Sequence, residues 1–173
     1  RALDAARRLG LVLDTHMEAT RFWYVMPYRG GKHLGTVVEA LHEKSGSKGL
    51  KGEALRAVLG HQVALVETLE RFHREGLWHK DVKPDNIIVD GACTHLVDFG
   101  LITSLGSPLT LTTHGTEYFR DPEMVRQALK GAKVADIDGA KFDVYGAGAV
   151  LYFMVENTFP AHGALSQFEK PAP

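Results

Sequence analysis

Between His79 and Val89 the chain reads His-Lys-Asp-Val-Lys-Pro-Asp-Asn-Ile-Ile-Val, and no other stretch constrains the fold as much. Two acids, two lysines, a histidine and an amide are gathered around a proline that has no backbone N–H and cannot continue a helix. The polar part must therefore be loop. The apolar β-branched triplet Ile87, Ile88 and Val89 then reads as a short buried strand that holds the loop's exit in place.

Three further motifs follow in order. Asp98-Phe99-Gly100 comes after the strand-like His95-Leu96-Val97. Gly115-Thr116 leads to Asp121-Pro122-Glu123, and Asp143-Val144-Tyr145-Gly146-Ala147-Gly148 opens an apolar run that reaches Val155. Each is weak alone, but their order and spacing together are not a chance pattern. The set resembles the protein kinases. His79 to Asn86 is similar to their catalytic loop, in which an Asn follows the catalytic Asp by five residues. Lys83-Pro84 is the form seen in serine/threonine kinases. Asp121-Pro122-Glu123 stands where the family has Ala-Pro-Glu, and Asp143 to Gly148 resembles the start of the long buried helix of the C-lobe.

The rest of the chain is read from its own patterns. Ala2 to Leu9 is alanine-rich and helical in character. Leu11 to Leu13 and Phe22 to Met26 read as two strands around a polar connection, Asp14 to Arg21, before Pro27-Tyr28-Arg29-Gly30-Gly31 breaks the pattern. Leu34 to His42 is a short amphipathic helix ended by the loop Ser45 to Gly49. Glu53 to Glu75 is the clearest helix. Leu55, Val58, Leu59, Gln62, Leu65, Val66, Leu69 and Phe72 recur at three- and four-residue steps, and Gly76 is placed to end it. Pro122 to Leu129 reads as a helix. Lys130 to Lys141 is polar and about eight residues longer than in compact kinases, most simply a surface insertion. Val144 to Val155 is apolar all round and reads as a core helix, and Phe159 to Pro173 as loop or frayed end.

At 173 residues, 45% hydrophobic and 24% charged, the chain suits one soluble domain with a real core. A net charge of −1 gives no reason to expect nucleic acid or an anionic membrane surface. The single cysteine, Cys93, excludes an internal disulfide framework and fits a reducing compartment. No apolar run is long enough to span a bilayer. The expected location is cytoplasmic, with no membrane contact from this segment, although a parent chain could be membrane-tethered. The chain starts at Arg1 and reads as a piece of a longer one.

The resemblance implies an α+β, protein-kinase-like fold that is incomplete. Residues 1–26 would be a remnant of the N-lobe, with a helix end and two strands. Residues 27–31 would be the hinge, and 32–173 a mainly helical C-lobe truncated after its central buried helix. It also implies ATP and Mg²⁺, with Mn²⁺ as an alternative, and a protein substrate carrying Ser or Thr. Asp81 would orient the substrate hydroxyl and act as base, and Lys83 would stabilise charge on the γ-phosphate. Asn86 and Asp98 would hold the metal. Met26 would be the gatekeeper, and the backbone of Pro27, Tyr28 and Arg29 would face the adenine edge. His79 and Phe99 would stack in an apolar column, with Gly100, Thr116, Glu123 and Asp143 as structural or docking residues. Thr112 and Thr113 are candidate phosphosites.

Lys80 replaces an arginine that would grip an activation-loop phosphate, and lysine offers only a point charge there. Weak activation-loop control is the expectation. The resemblance includes no glycine-rich loop and no ATP-binding lysine strand. An active serine/threonine kinase, inactive as this isolated segment, is the favoured reading. A pseudokinase acting as a binding or scaffold domain is the alternative. A small-molecule phosphotransferase of related fold fits less well with Lys83-Pro84 and Pro122-Glu123.

Overall fold

The computed structural model describes residues 2–113 and 117–160, except the side chains of 48 and 117. The helices are α1 (Ala2–Arg8), α2 (Leu34–Ser45), α3 (Gly52–Arg74), α4 (Pro122–Leu129) and α5 (Gly139–Glu156). The strands are β1 (Asp14–Met17), β2 (Phe22–Val25), β3 (Lys32–His33), β4 (Leu77–Trp78), β5 (Ile87–Asp90), β6 (Cys93–Leu96) and β7 (Thr103–Ser104). They pair antiparallel in three small sheets: β1 with β2, β3-β5-β6, and β4 with β7. This is a helix-rich α+β arrangement, as expected.

The main core lies between α3 and α5. Val58, Leu65, Leu69 and Phe72 face Ala147, Val150, Phe153 and Met154, and Ile87 and Leu96 close the side toward the small sheet. Helix α3 ends at Arg74, with Glu75 as its C-cap. Gly76 follows at φ +72° and donates to His73 O at 2.9 Å, a left-handed exit that favours glycine. The buried face of α3 is narrower than its apolar sequence suggests. Leu59 and Val66 are 47% and 46% exposed, while His61 and Thr68 are buried in their place. Val144, Tyr145 and Tyr152 on α5 are likewise exposed, so that helix is not covered all round.

The first expected strand is displaced. Val12 is buried in the core, and the ladder starts at Asp14↔Val25 and ends at Met17↔Phe22, closed by Glu18 N–H donating to Arg21 O. Both faces of this hairpin are largely exposed, so hydrophobicity is a poor guide to where it pairs. Helix α2 runs on to Ser45, whose hydroxyl donates to Leu41 O at 2.8 Å, and a 3₁₀ turn at Gly46–Lys48 follows.

The larger correction concerns residues 130–141. Most of this stretch is exposed, as a surface insertion would be, but it is anchored in the fold. Val134 is 2% exposed and joins Trp78, Leu111 and Met124 in a second apolar cluster, against which Leu105, Ile137 and Phe142 pack. Of the tail, residues from 161 onward lie outside the described residues. Phe159 stacks on Tyr118 and Phe153, with ring centroids 4.8 and 5.6 Å apart.

The second cluster leaves no room at the start of α5. A Cβ on Gly139 would stand 2.6 Å from Trp78 Cδ2 and 3.0 Å from Leu105 Cδ2. Gly139→Ala is expected to destabilise the protein by about 1–3 kcal/mol through overpacking. A lowered denaturant midpoint with unchanged slope checks this.

Candidate active site

The loop from His79 to Asn86 hangs between two sheets. Its entry, β4, pairs Leu77↔Ser104 and Trp78↔Thr103, and its exit, β5, lies between β3 and β6. A 3₁₀ turn at Pro84–Asn86 makes the descent into β5, with Asn86 N–H donating to Lys83 O.

Asp143 fixes the loop from below. It is 2% exposed; Oδ2 accepts from His79 N–H at 2.9 Å and Oδ1 from Lys80 N–H at 3.0 Å. His73 Nε2, at the end of α3, lies 2.9 Å from Oδ2. These partners satisfy a carboxylate that would otherwise be costly to bury. They also hold Lys80 at φ +73°, a left-handed conformation that a lysine does not adopt without support. His73 carries no motif of its own, and sequence reasoning missed it. Its only signal is a histidine in the last turn of a helix.

His79 is fully buried. Its Nδ1 accepts from Asp81 N–H at 3.3 Å, and its Nε2 donates to Val97 O at 3.2 Å, the pattern of a neutral ring. Its ring stands 5.9 Å from Phe99 and 6.0 Å from Phe72, and those two rings are 6.0 Å apart. Burial lowers the His79 pKa, opposed by Asp143, the Val97 carbonyl, Asp81 and Asp98. Protons then bind the unfolded chain in preference to the native one, so this contribution is present above the ordinary histidine pKa of about 6.5 and lost as pH falls below it. Burial pushes His61 the same way. Denaturant midpoints should therefore drop between about pH 7 and about pH 5.5, and less in His79→Gln. A midpoint flat over that range counts against this account.

Asp81, Lys83 and Asn86 form one knot. Asp81 Oδ2 lies 3.0 Å from Lys83 Nζ and accepts from Asn86 Nδ2 at 2.9 Å; the same amide donates to Asp81 O at 2.9 Å. Asn86 is 5% exposed, and with both amide protons spent on Asp81 its carbonyl oxygen is the atom left for other work. The β5–β6 register continues past the strands, since Val97 N–H donates to Asn86 O at 2.8 Å. Asn86 therefore sits one residue across from Asp98. Asp98 is exposed at φ +63°, and its Oδ1 accepts from Gly100 N–H at 3.2 Å.

Among the described residues no group of three or more His, Cys, Asp and Glu side chains could hold a metal. The Asn86 amide and Asp98 carboxylate are nonetheless hard oxygen donors on adjoining strand ends. Such a sparse pair fits Mg²⁺, which keeps several waters and takes phosphate oxygens as further ligands.

Met26, Pro27 and Arg29 line a cavity of about 110 Å³ with Leu9, Leu96, Val97 and Phe99. That is below the ~300–1,000 Å³ of small-molecule sites, too small by itself to enclose a ligand of that size. Tyr28 is 93% exposed and does not line this cavity. Thr116 lies outside the described residues. Thr112 is exposed and Thr113 half-buried, its carbonyl accepting from Arg120. Glu123 on α4 pairs with Arg126 and accepts from Gln127 at 2.6 Å. Asp121 is the N-cap of α4: its Oδ1 accepts from Glu123 N–H at 2.7 Å, ahead of Pro122 in the first turn.

A family model described as "Protein kinase domain" matches residues 10–170. Sperm motility kinase 2B of Mus musculus is 38% identical over 107 residues, 60% of this chain and 20% of that protein. The serine/threonine-protein kinase shk1/pak1 of Schizosaccharomyces pombe is 30% identical over 151 residues, 86% of this chain and 20% of that protein. CBL-interacting serine/threonine-protein kinase 20 of Arabidopsis thaliana is 31% identical over 148 residues, 83% of this chain and 30% of that protein. The chain thus spans less than a third of the length of these relatives.

Proposed function

The chain belongs to the protein kinase domain family, and on that premise we propose that it supplies the catalytic face of a serine/threonine kinase. The Asp81–Lys83–Asn86 knot beside Asp98 carries this reading. Residues 1–26 are assigned to the N-lobe, 27–31 to the hinge and 32–173 to the C-lobe. Mg²⁺ bound with ATP would neutralise phosphate charge, and Asn86 and Asp98 are the residues that would hold it.

In this mechanism Asp81 accepts a hydrogen bond from the substrate hydroxyl, aims its oxygen at the γ-phosphorus and takes the proton as transfer proceeds. Lys83 is held 3.0 Å from Asp81 and presents a cation where negative charge develops. Asp143, through the His79 and Lys80 amides, keeps the loop still while this happens. Phe99 rests on His79 and Phe72, which ties the Asp98 turn to the same support. Relatives named as serine/threonine kinases and the Lys83-Pro84 pair support Ser/Thr over Tyr.

The test is phosphate transfer from Mg-ATP by the full-length protein to serine, threonine and tyrosine versions of one generic peptide. Transfer to serine or threonine that is lost in Asp81→Asn supports the proposal. A folded wild-type protein that transfers nothing favours the pseudokinase reading. Transfer to tyrosine alone overturns the Ser/Thr assignment. Among the described residues no helix is long and apolar enough to cross a membrane.

A further inference from the structure

Residues 107–111 lie in the segment between Asp98-Phe99-Gly100 and Asp121-Pro122-Glu123, where a kinase places its activation loop. In this chain they pair with residues 132–135. Leu111 N–H donates to Ala132 O at 2.8 Å, Val134 N–H to Leu109 O at 2.9 Å, and Ala135 N–H to Ser107 O at 2.9 Å. The first two bonds flank an antiparallel bridge between Thr110 and Lys133. Side chains reinforce the ladder: Leu111 and Val134 are 3% and 2% exposed, and both sit in the cluster built on Trp78.

The second observation concerns Lys80. Its ammonium lies 5.3 Å from the centroid of the Trp78 ring, a cation–π placement against the residue that anchors the cluster. The cation in the position where a phosphate grip would be sought is thus turned onto Trp78. Thr112 and Thr113 directly follow the clamped residues.

We propose that residues 132–135 are a built-in clamp that orders the activation segment without a phosphate, so that peptide docking does not depend on modification of Thr112 or Thr113. The proposal rests on the kinase reading for its functional consequence, but the clamp can be measured without activity. Backbone pairing with a segment tied to the start of α5 fixes residues 107–111 of the activation segment. The apolar cluster does what a charged pair would otherwise do, and it is insensitive to salt and phosphatase. Val134 and Trp78 are positioning residues, since neither touches the Asp81–Lys83–Asn86 knot.

The experiment has three arms on the full-length protein. Amide hydrogen exchange should show Leu111 and Val134 about 100-fold slower than Thr110 and Lys133, whose N–H groups point away from the ladder. Equal exchange at the four positions overturns the clamp, whatever the activity result. Thr112→Ala with Thr113→Ala, dephosphorylated, should keep peptide transfer within about threefold of wild type. A fall to the level of Asp81→Asn overturns phosphate independence. Val134→Pro removes one ladder N–H at a position that proline fits, because Lys133 is extended (φ −87°, ψ 152°) and Val134 opens a 3₁₀ turn. It should release Leu111 to exchange and raise the KM for peptide about tenfold, with the KM for ATP unchanged. Unchanged peptide KM in a folded Val134→Pro overturns the positioning role. If that variant unfolds, the first two arms decide. Absence of transfer in the wild type overturns the kinase reading and leaves the exchange arm to judge the clamp.

Discussion

Asp143→Ala is expected to lower the folding free energy by about 3–5 kcal/mol, the range for removing one member of a buried charged network. The carboxylate is 1% exposed at its side chain and takes the His79 and Lys80 amides and the His73 ring. Deleting it orphans two backbone N–H groups at the entry of the loop, each costing about 1–3 kcal/mol when left buried without a partner. Lys80 also loses the contact that holds its left-handed turn. Asp143→Asn separates shape from charge: one amide oxygen can serve one of the two backbone donors, while the new NH₂ confronts the other. It should fall between wild type and alanine. Because whole domains are stable by only about 5–15 kcal/mol, the alanine variant is expected to melt in mild denaturant. A denaturant series is the measurement, and a loss below about 1 kcal/mol for alanine would show that the loop is held from elsewhere.

Features that depend on local chemistry were legible in the sequence. Gly76 after α3 and Pro122 at the start of α4 set those boundaries directly, because one supplies a left-handed exit and the other tolerates only a first-turn position. The Asp81-to-Asn86 spacing also translated into contact, since a 3₁₀ turn folds the amide back onto the acid. What stayed hidden depends on partners distant in sequence. The polar Asp14–Met17 became a strand because Phe22–Val25 offers it an edge, while apolar Val12 was drawn into the core. His73 carries meaning only through Asp143, 70 residues away. Residues 130–141 looked like surplus because their composition is polar, yet one buried valine and three backbone bonds make them structural. Asp121 stands where the family has alanine, and the geometry makes it a helix cap.

Asp81→Asn and Asp98→Asn are both expected to abolish most phosphate transfer, but by different routes. Asp81 lies against Lys83 and Asn86, and in the proposed mechanism it receives the proton. Its amide analogue cannot take that proton at neutral pH, and general-base removal costs about 10²–10⁴ in kcat. The KM for ATP should change little, because no assigned nucleotide contact is lost. Asp98 is the exposed carboxylate of the proposed metal pair, and its Oδ1 accepts from Gly100 N–H. An amide there keeps an oxygen but loses the charge, so Mg-ATP binding should weaken along with kcat. The added amide protons of Asp81→Asn face the Lys83 and Asn86 donors, so thermal midpoints must accompany the rates. If the two variants show the same KM for Mg-ATP, the division of labour between the aspartates is wrong even when both are inactive. If Asp81→Asn retains wild-type kcat, Asp81 is not the base, and the Lys83–Asn86 knot serves only to shape the loop.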